Sequence, residues 1–304
     1  MTLDEALRDA CAAVGIEPPK RRPAPGVWIR TDSKGKNGKN DAAVYLENDL
    51  LSGVAYNYQT AQSQRFRVGD PLKTNPGQEP WRNVKRERED EAERKIVLKI
   101  CAAIVSEART DRHGYFAKKG FPEELGLVCD DPRLFFPSSR FGEALGRALP
   151  AGDGPFLIIP GRIDRDIVMV QFINPDGEKK NILKGQMGGA SHRIATGRDT
   201  WVCEGIGTAL TVRAALRLLG ANATVLSAFS ASNVGRVAEC IPAAHIAADN
   251  DKPVEGLEWR GAGEFYARRS GRKWVMPPEL GDFNDHHVKH GLRSVALLLK
   301  EAAG

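Results

Sequence analysis

The sequence predicts an α/β protein, with a carboxyl-terminal domain on a mostly parallel sheet, an α+β subdomain before it, and a small β-rich amino-terminal domain. Three observations predict this. From Thr200 onward, strand-like and helix-like segments alternate, the rhythm of helices packed on a parallel sheet. Residues 27–70 carry short runs rich in Val, Tyr and Phe, broken by Gly, Asn, Asp and Ser, which is the pattern of a small antiparallel sheet. Finally, 304 residues exceed what one core usually needs, because chains divide into domains beyond roughly 250–300 residues. The expected boundaries are 1–82, 83–197 and 198–304.

The first residues, MTLDEALRDACAAVGIEPP, set Leu3, Leu7, Ala10 and Val14 on one helical face. Their early acids are unlike the basic start of a secretory leader, so a cytoplasmic protein is expected. The strands VWIR, AAVYLE, GVAYNY and QRFRV follow, and then GDPLKTNPGQEPW (69–81), whose Pro, Gly and Asn suit a linker. From Asn83, VKREREDEAERKIVLKICAAIVSEAR places opposite charges three or four residues apart and then turns apolar, which predicts a long helix. YFAKKGF, FLIIPGR and DIVMVQFINPDGEKKNIL come next, the last being two strand-like runs around an Asn-Pro-Asp-Gly turn. The alternating part reads WVCEGI, TALTVRAALRLLG, TVLSAF, NVGRVAECI, HIAADN, EFYARRSGR and KWVMP, closed by a polar loop and a last helix.

Composition narrows the function classes. A hydrophobic share of 41% beside 27% charged residues is that of a soluble globular protein, and no apolar run approaches the ~18 residues of a membrane span. No membrane partner is expected. The five cysteines form no close pair, which argues against a disulfide framework and against a zinc ribbon. A net charge of +5 favours polyanionic partners. Lys20, Arg21, Arg22, Arg30, Lys34, Lys36 and Lys39 crowd the first segment, a pattern that suits a solvated loop as well as a nucleic-acid contact. GxxxxGK[ST] is absent, so no P-loop is expected, and GKNGKN reads as a flexible basic loop. His286, His287 and His290 lack the Glu that HExxH zinc chemistry needs.

The informative residues are acidic. In α/β sheets, ligands bind at the carboxyl ends of the strands. Glu204 closes WVCE, Asp249 and Asp251 close HIAADND with both side chains expected on one side, and Asp282 and Asp285 follow KWVMP. Any one Asp after a strand also suits a helix cap or turn, Asp282 in particular. Five carboxylates at one edge would repel one another unless a cation neutralised them. Oxygen-only ligands select Mg²⁺ or Mn²⁺ rather than zinc.

The order EGIGTAL, AADND, GDFND resembles the TOPRIM domain of bacterial primases, particularly the zinc-free plasmid- and phage-borne primase-like proteins. GYFAKKGF followed by LGL is similar to the start of the primase catalytic core, and FLIIPGRIDRDIVMVQFINPDGEKKNILKG to the core segment whose lysines approach nucleotide phosphates. The likeness covers residues 114–304. It implies a catalytic TOPRIM domain in which Glu204, Asp249 and Asp251 act with metal-binding help from Asp282 and Asp285. It also implies phosphate contacts from Lys119, Lys180 and Lys184, which by spacing alone could equally be surface lysines. The expected activity is synthesis of short RNA primers from ribonucleoside triphosphates on single-stranded DNA during plasmid or phage replication, beside a separate replicative helicase.

Two departures stand out. Thr208 occupies a position where cellular primases carry an Asp, and no Cys/His cluster can build their zinc ribbon. Residues 20–70 resemble its zinc-free equivalent, with Arg21, Arg22, Arg30, Trp28 and Tyr56 as candidate template contacts, although aromatics there would also fill a small β core. A metal-dependent TOPRIM nuclease and a non-catalytic nucleic-acid-binding replication factor are the alternatives.

Overall fold

The computed structural model describes residues 2–35, 38–47, 50–60, 62–68 and 80–303. The expected linker lies outside them apart from Pro80 and Trp81, as does Lys36. The chain forms two compact units, residues 1–81 with 253–262, and residues 82–252 with 263–304. Its fold is mixed α/β, with both antiparallel and parallel sheets.

In the first unit, α1 (Leu3–Ala13) starts in a capping box between Thr2 and Glu5. Strands β1 (Trp28–Thr31), β2 (Ala42–Leu46), β3 (Ser52–Asn57) and β4 (Gln62–Arg67) form an antiparallel sheet in that order. Leu7, Ala10 and Cys11 of α1 share a core with Val44, Leu46, Ala55 and Phe66. Since neighbours along a strand point to opposite faces, the cross-strand rows Trp28–Tyr45–Val54–Arg65 and Arg30–Ala43–Tyr56–Ser63 belong to the face turned away from α1.

The second unit holds two sheets. Helix α2 (Pro80–Glu107) leads into β5 (Arg109–Arg112), α3 (Gly114–Lys118), β6 (Leu125–Cys129), α4 (Arg140–Arg147), β7 (Phe156–Ile163), β8 (Asp166–Ile173) and β9 (Lys179–Asn181). The five strands pair antiparallel in sequence order. Val97, Ile100, Cys101 and Ile104 of α2 join Phe156, Ile158, Met169 and Phe172 in one core.

The second sheet comprises β10 (His192–Ala195), β11 (Asp199–Cys203), β12 (Ala223–Ser227), β13 (His245–Ala247) and β14 (Lys273–Val275). Its order is β10-β12-β11-β13-β14, and all its pairs are parallel except the antiparallel edge strand β10. Alternation along β11 divides the core. Trp201 and Cys203 meet α5 (Ile206–Leu218), α8 (Phe283–His290) and α9 (Leu292–Ala303) through Val212, Phe283 and Leu299. Val202 meets α6 (Ala231–Glu239) and α7 (Ala262–Arg269) through Val234, Val237 and Ala267. The single last helix expected from the sequence is two, because Gly291 takes a φ of 82° that stops α8. Among the described residues, no helix is long and apolar enough to cross a membrane.

One ion pair fixes α5 against the loop before β6. Arg213 donates to both Glu124 oxygens, 3.0 Å on one side, with side-chain exposures of 13% and 25%. That burial lies between an exposed pair, worth about 0–1 kcal/mol, and a fully buried one, whose disruption costs about 3–5 kcal/mol. Glu124→Ala is therefore expected to lower unfolding free energy by about 2 kcal/mol, read from denaturant midpoints at unchanged slope.

Candidate active site

The acids are placed by three chain crossings at the carboxyl edge of the parallel sheet. Glu204 leaves β11, and Gly205 after it is the N-cap of α5. Asp249 and Asp251 lie beyond β13, which ends at Ala247 and not in the acidic segment. Their alternation is kept by one backbone bridge, in which Asn250 and Gly281 exchange N–H···O bonds of 2.9 Å. That bridge sets Asp249 and Asp251 on the same side of an extended backbone and brings Asp282 alongside. Asp282 also caps α8. Its Oδ1 accepts from the Asp285 N–H at 2.8 Å, and Asp285 Oδ2 accepts from the Asp282 N–H at 3.1 Å.

These charges press on one another. Burial, and then the charge of Asp251, pushes the Glu204 carboxyl from 4.5 up to about 7, against the pull of Lys179. Burial, and then the charges of Glu204, Asp282 and Asp251, holds the Asp249 carboxyl well above its usual range. Asp249 Oδ1 is buried without a hydrogen-bond partner. Asp251 Oδ2 accepts from the Gly263 N–H at 2.9 Å. Among the described residues, no three His, Cys, Asp or Glu side chains already meet in a ligand cage. Glu204, Asp249, Asp251 and Asp282 nevertheless feel one another's charge. This suits a hard divalent ion held by one or two carboxylates, with water and phosphate completing its shell. The unsatisfied Asp249 oxygen and the all-oxygen donor set fit such an ion.

Asp285 turns elsewhere, with one oxygen 4.0 Å from the Lys119 ammonium. Both line a hollow of about 490 Å³, together with Tyr115, Lys118, Lys179 and Asn284. Asn284 is buried and donates to the Lys119 carbonyl at 2.8 Å and to the Thr211 hydroxyl at 3.0 Å, which fixes the backbone carrying Lys119. Gly207 gives Lys119 its room, since a Cβ there would stand 3.3 Å from the Lys119 Cδ and from the Tyr115 hydroxyl.

The chain matches no family model. Among solved structures, it is similar to the primase fragment of the bacteriophage T7 primase-helicase protein, at 14% identity over 64% of this chain and 76% of that one, with a TM-score of 0.40.

The lysines expected to meet phosphate are divided by the structure. Lys119 faces the hollow beside the acids, whereas Lys180 is paired with Glu178 at 3.2 Å. Lys184 is held by Asp90 and Glu93 and lines a different hollow beside α2. The cation whose charge reaches both Glu204 and Asp249 is Lys179, which the sequence reading passed over. Its ammonium stands 5.3 Å from the centre of the Tyr115 ring. The Tyr115 hydroxyl, also missed, is buried with no partner. Adjacent lysines on a strand must face opposite ways, so the sequence already required that only one of Lys179 and Lys180 could approach the acids. The hairpin register, which pairs Lys179 with Ile173, decides which one.

In the first unit, Trp28 is 45% exposed and packs on Tyr45 at 5.3 Å, and the Arg30 guanidinium lies 4.3 Å from the centre of the Tyr58 ring. Tyr56 stands against Tyr58 at 4.8 Å. Arg21 is exposed, and Arg22 is engaged by Asp4 at 2.7 and 3.0 Å. The histidines serve local contacts, His286 with the Ser294 hydroxyl at 2.8 Å and His290 with Glu279 at 3.2 Å. Thr208 is buried in α5 with its hydroxyl unpartnered.

Proposed function

We propose that this protein is a metal-dependent nucleotidyltransferase, a TOPRIM-type DNA primase that makes short RNA primers on single-stranded DNA for plasmid or phage replication. One observation carries the reading. Acids from three separate crossings press together at a sheet edge, with one buried oxygen unsatisfied, beside a hollow lined by Lys119 and Lys179. Such crowding costs stability, and it is useful only where a cation is to be held next to a polyphosphate. The order of the motifs adds the primase resemblance.

Asp249 and Asp251, with Asp282 assisting, would hold Mg²⁺ or Mn²⁺, which when bound neutralises charge on the transferring phosphoryl group and the leaving pyrophosphate. Lys119 and Lys179, which line the hollow, bind the triphosphate. Glu204 orients the primer 3′-hydroxyl, or takes its proton. The partly exposed side chains of the first unit's sheet, Trp28, Arg30 and Tyr56, grip the template by stacking and charge.

The test is purified protein with single-stranded DNA, labelled ribonucleotides and Mg²⁺ or Mn²⁺, beside Asp251→Ala. Template-dependent RNA products that vanish in the variant support priming. DNA cleavage that vanishes in it replaces priming with hydrolysis, and DNA binding without either product leaves an accessory role. Lys179→Ala is further expected to weaken nucleoside triphosphate binding about tenfold or more, since a charge-assisted hydrogen bond contributes about 1.5–3 kcal/mol. Lys180→Ala and Lys184→Ala should change it little in the same titration.

A further inference from the structure

Between Asp251 and α7, the chain leaves the second unit and returns to it. Residues 253–262 belong to the first unit, and Gly263 re-enters the second. Both ends of this excursion are tied to the acids. The returning Gly263 N–H donates to Asp251 Oδ2 at 2.9 Å. Its Cα also lies so close to the Asp249 backbone that a Cβ would stand 2.1 Å from the Asp249 carbonyl oxygen. Only glycine fits there. Any displacement of the excursion is thus felt at Asp251 through the chain and at Asp249 through Gly263.

The excursion is built as a stiff piece. Val254 and Arg260 bridge its mouth, the Val254 N–H donating to the Arg260 carbonyl at 3.0 Å. Inside that closure, Leu257 and Trp259 direct their N–H groups to the Val254 carbonyl at 2.9 and 3.2 Å. Glu258 and Trp259 take φ values of 56° and 58°, a left-handed conformation that residues with a Cβ adopt only when the surroundings impose it. Its anchor is Leu257, which is fully buried. Beside it, Gly256 lies against the turn between β3 and β4, where a Cβ would stand 3.1 Å from Thr60 Cγ2. That turn continues directly from Tyr56 and Tyr58, the ring pair beside Arg30.

We infer that the 253–262 excursion is a positioning device that couples single-stranded nucleic acid on the aromatic and basic face of the first unit to divalent-metal affinity at Asp249 and Asp251. The inference rests on the reading of those acids as a metal site. Strand binding that holds Thr60 in place holds the excursion packed on it, and this fixes two carboxylates that otherwise repel one another. By linkage, metal must tighten strand binding by the same factor.

The experiment titrates Mn²⁺ into the full-length protein by calorimetry, with and without saturating oligodeoxythymidylate, and then titrates the oligonucleotide with and without Mn²⁺. Wild type should gain about fivefold or more in each direction, by equal factors. Two variants loosen the device, Leu257→Ala at the anchor and a Gly-Ser-Gly-Ser insertion between Lys252 and Pro253. The insertion leaves every residue of the anchor in place and keeps the test valid if the first variant unfolds. Strand affinity without metal should be unchanged in the insertion variant while the coupling factor falls to one. Equal Mn²⁺ affinity with and without strand in wild type, or full coupling in the insertion variant, overturns the inference. So does the absence of Mn²⁺ binding in both states. Coupling without any RNA product overturns the priming reading alone and leaves the device standing.

Discussion

Asp249→Asn is expected to abolish metal-dependent synthesis while making the metal-free protein more stable. The two effects have one cause. Asp249 is held protonated well above its usual range by burial and by Glu204, Asp282 and Asp251, so its ionised form is strained in the folded state. Asn keeps the shape and removes the charge, which relieves the neighbours and should raise the melting temperature by a few degrees at pH 8. The same change removes the carboxylate whose Oδ1 has no protein partner. Lewis-acid stabilisation of the phosphoryl group contributes several kcal/mol, and each 1.36 kcal/mol is tenfold in rate, so turnover should fall about 10³-fold. Melting curves without metal and product formation with it check both halves. A variant that melts lower and keeps its activity would give Asp249 a purely structural role.

The sequence made some of this legible for identifiable reasons. Periodicity is a local property, so α1, the four strands of the first sheet, α2 and the alternating carboxyl-terminal segments could be read directly, and so could the position of Glu204 at a strand end. What escaped depends on contacts between distant residues. The short β13 stops at Ala247, and it is the Asn250–Gly281 bridge, across a stretch of chain, that keeps Asp249 and Asp251 together and brings Asp282 to them. Asp285 looked equivalent to Asp282 in GDFND, yet helix geometry turns it toward Lys119. The choice between Lys179 and Lys180 needed the register of β8 with β9. The passage of residues 253–262 into the first unit has no local signal, because a short loop rich in Pro, Gly and Glu reads the same whichever unit it packs on.

The metal-free protein is also expected to lose stability as pH rises from about 6.5 to 8, and saturating Mg²⁺ is expected to flatten that dependence. For Glu204 the unfolded carboxyl titrates near 4.5 and the folded one near 7. Between those values, the folded state keeps a proton that the unfolded state has lost, so unfolding free energy falls with rising pH and levels off above the folded value. At 1.36 kcal/mol per unit, the shift from 4.5 to about 7 sets a ceiling of about 3 kcal/mol for this group. Asp249 acts in the same direction, since its carboxyl is raised as well. The exposed carboxylates with lowered values, Glu5, Asp32, Asp111, Glu178 and Glu279, have the opposite sign, but theirs is lost only as pH falls below the ordinary carboxylate range. Burial also holds four histidines below their usual 6.5, His192 at about 4 with His245, His286 and His287, and these raise stability with pH up to that unfolded value. The window from about 6.5 to 8 therefore isolates the acidic cluster. A divalent ion that binds the ionised carboxylates stabilises the folded state by mass action, most at high pH where the repulsion is greatest. Urea midpoints across the window, with and without Mg²⁺, measure the effect, and Glu204→Gln should remove much of the slope. A metal-free protein whose stability rises from pH 6.5 to 8 would mean that the acids are not crowded against one another in solution, and the case for a cation between them would go with that crowding.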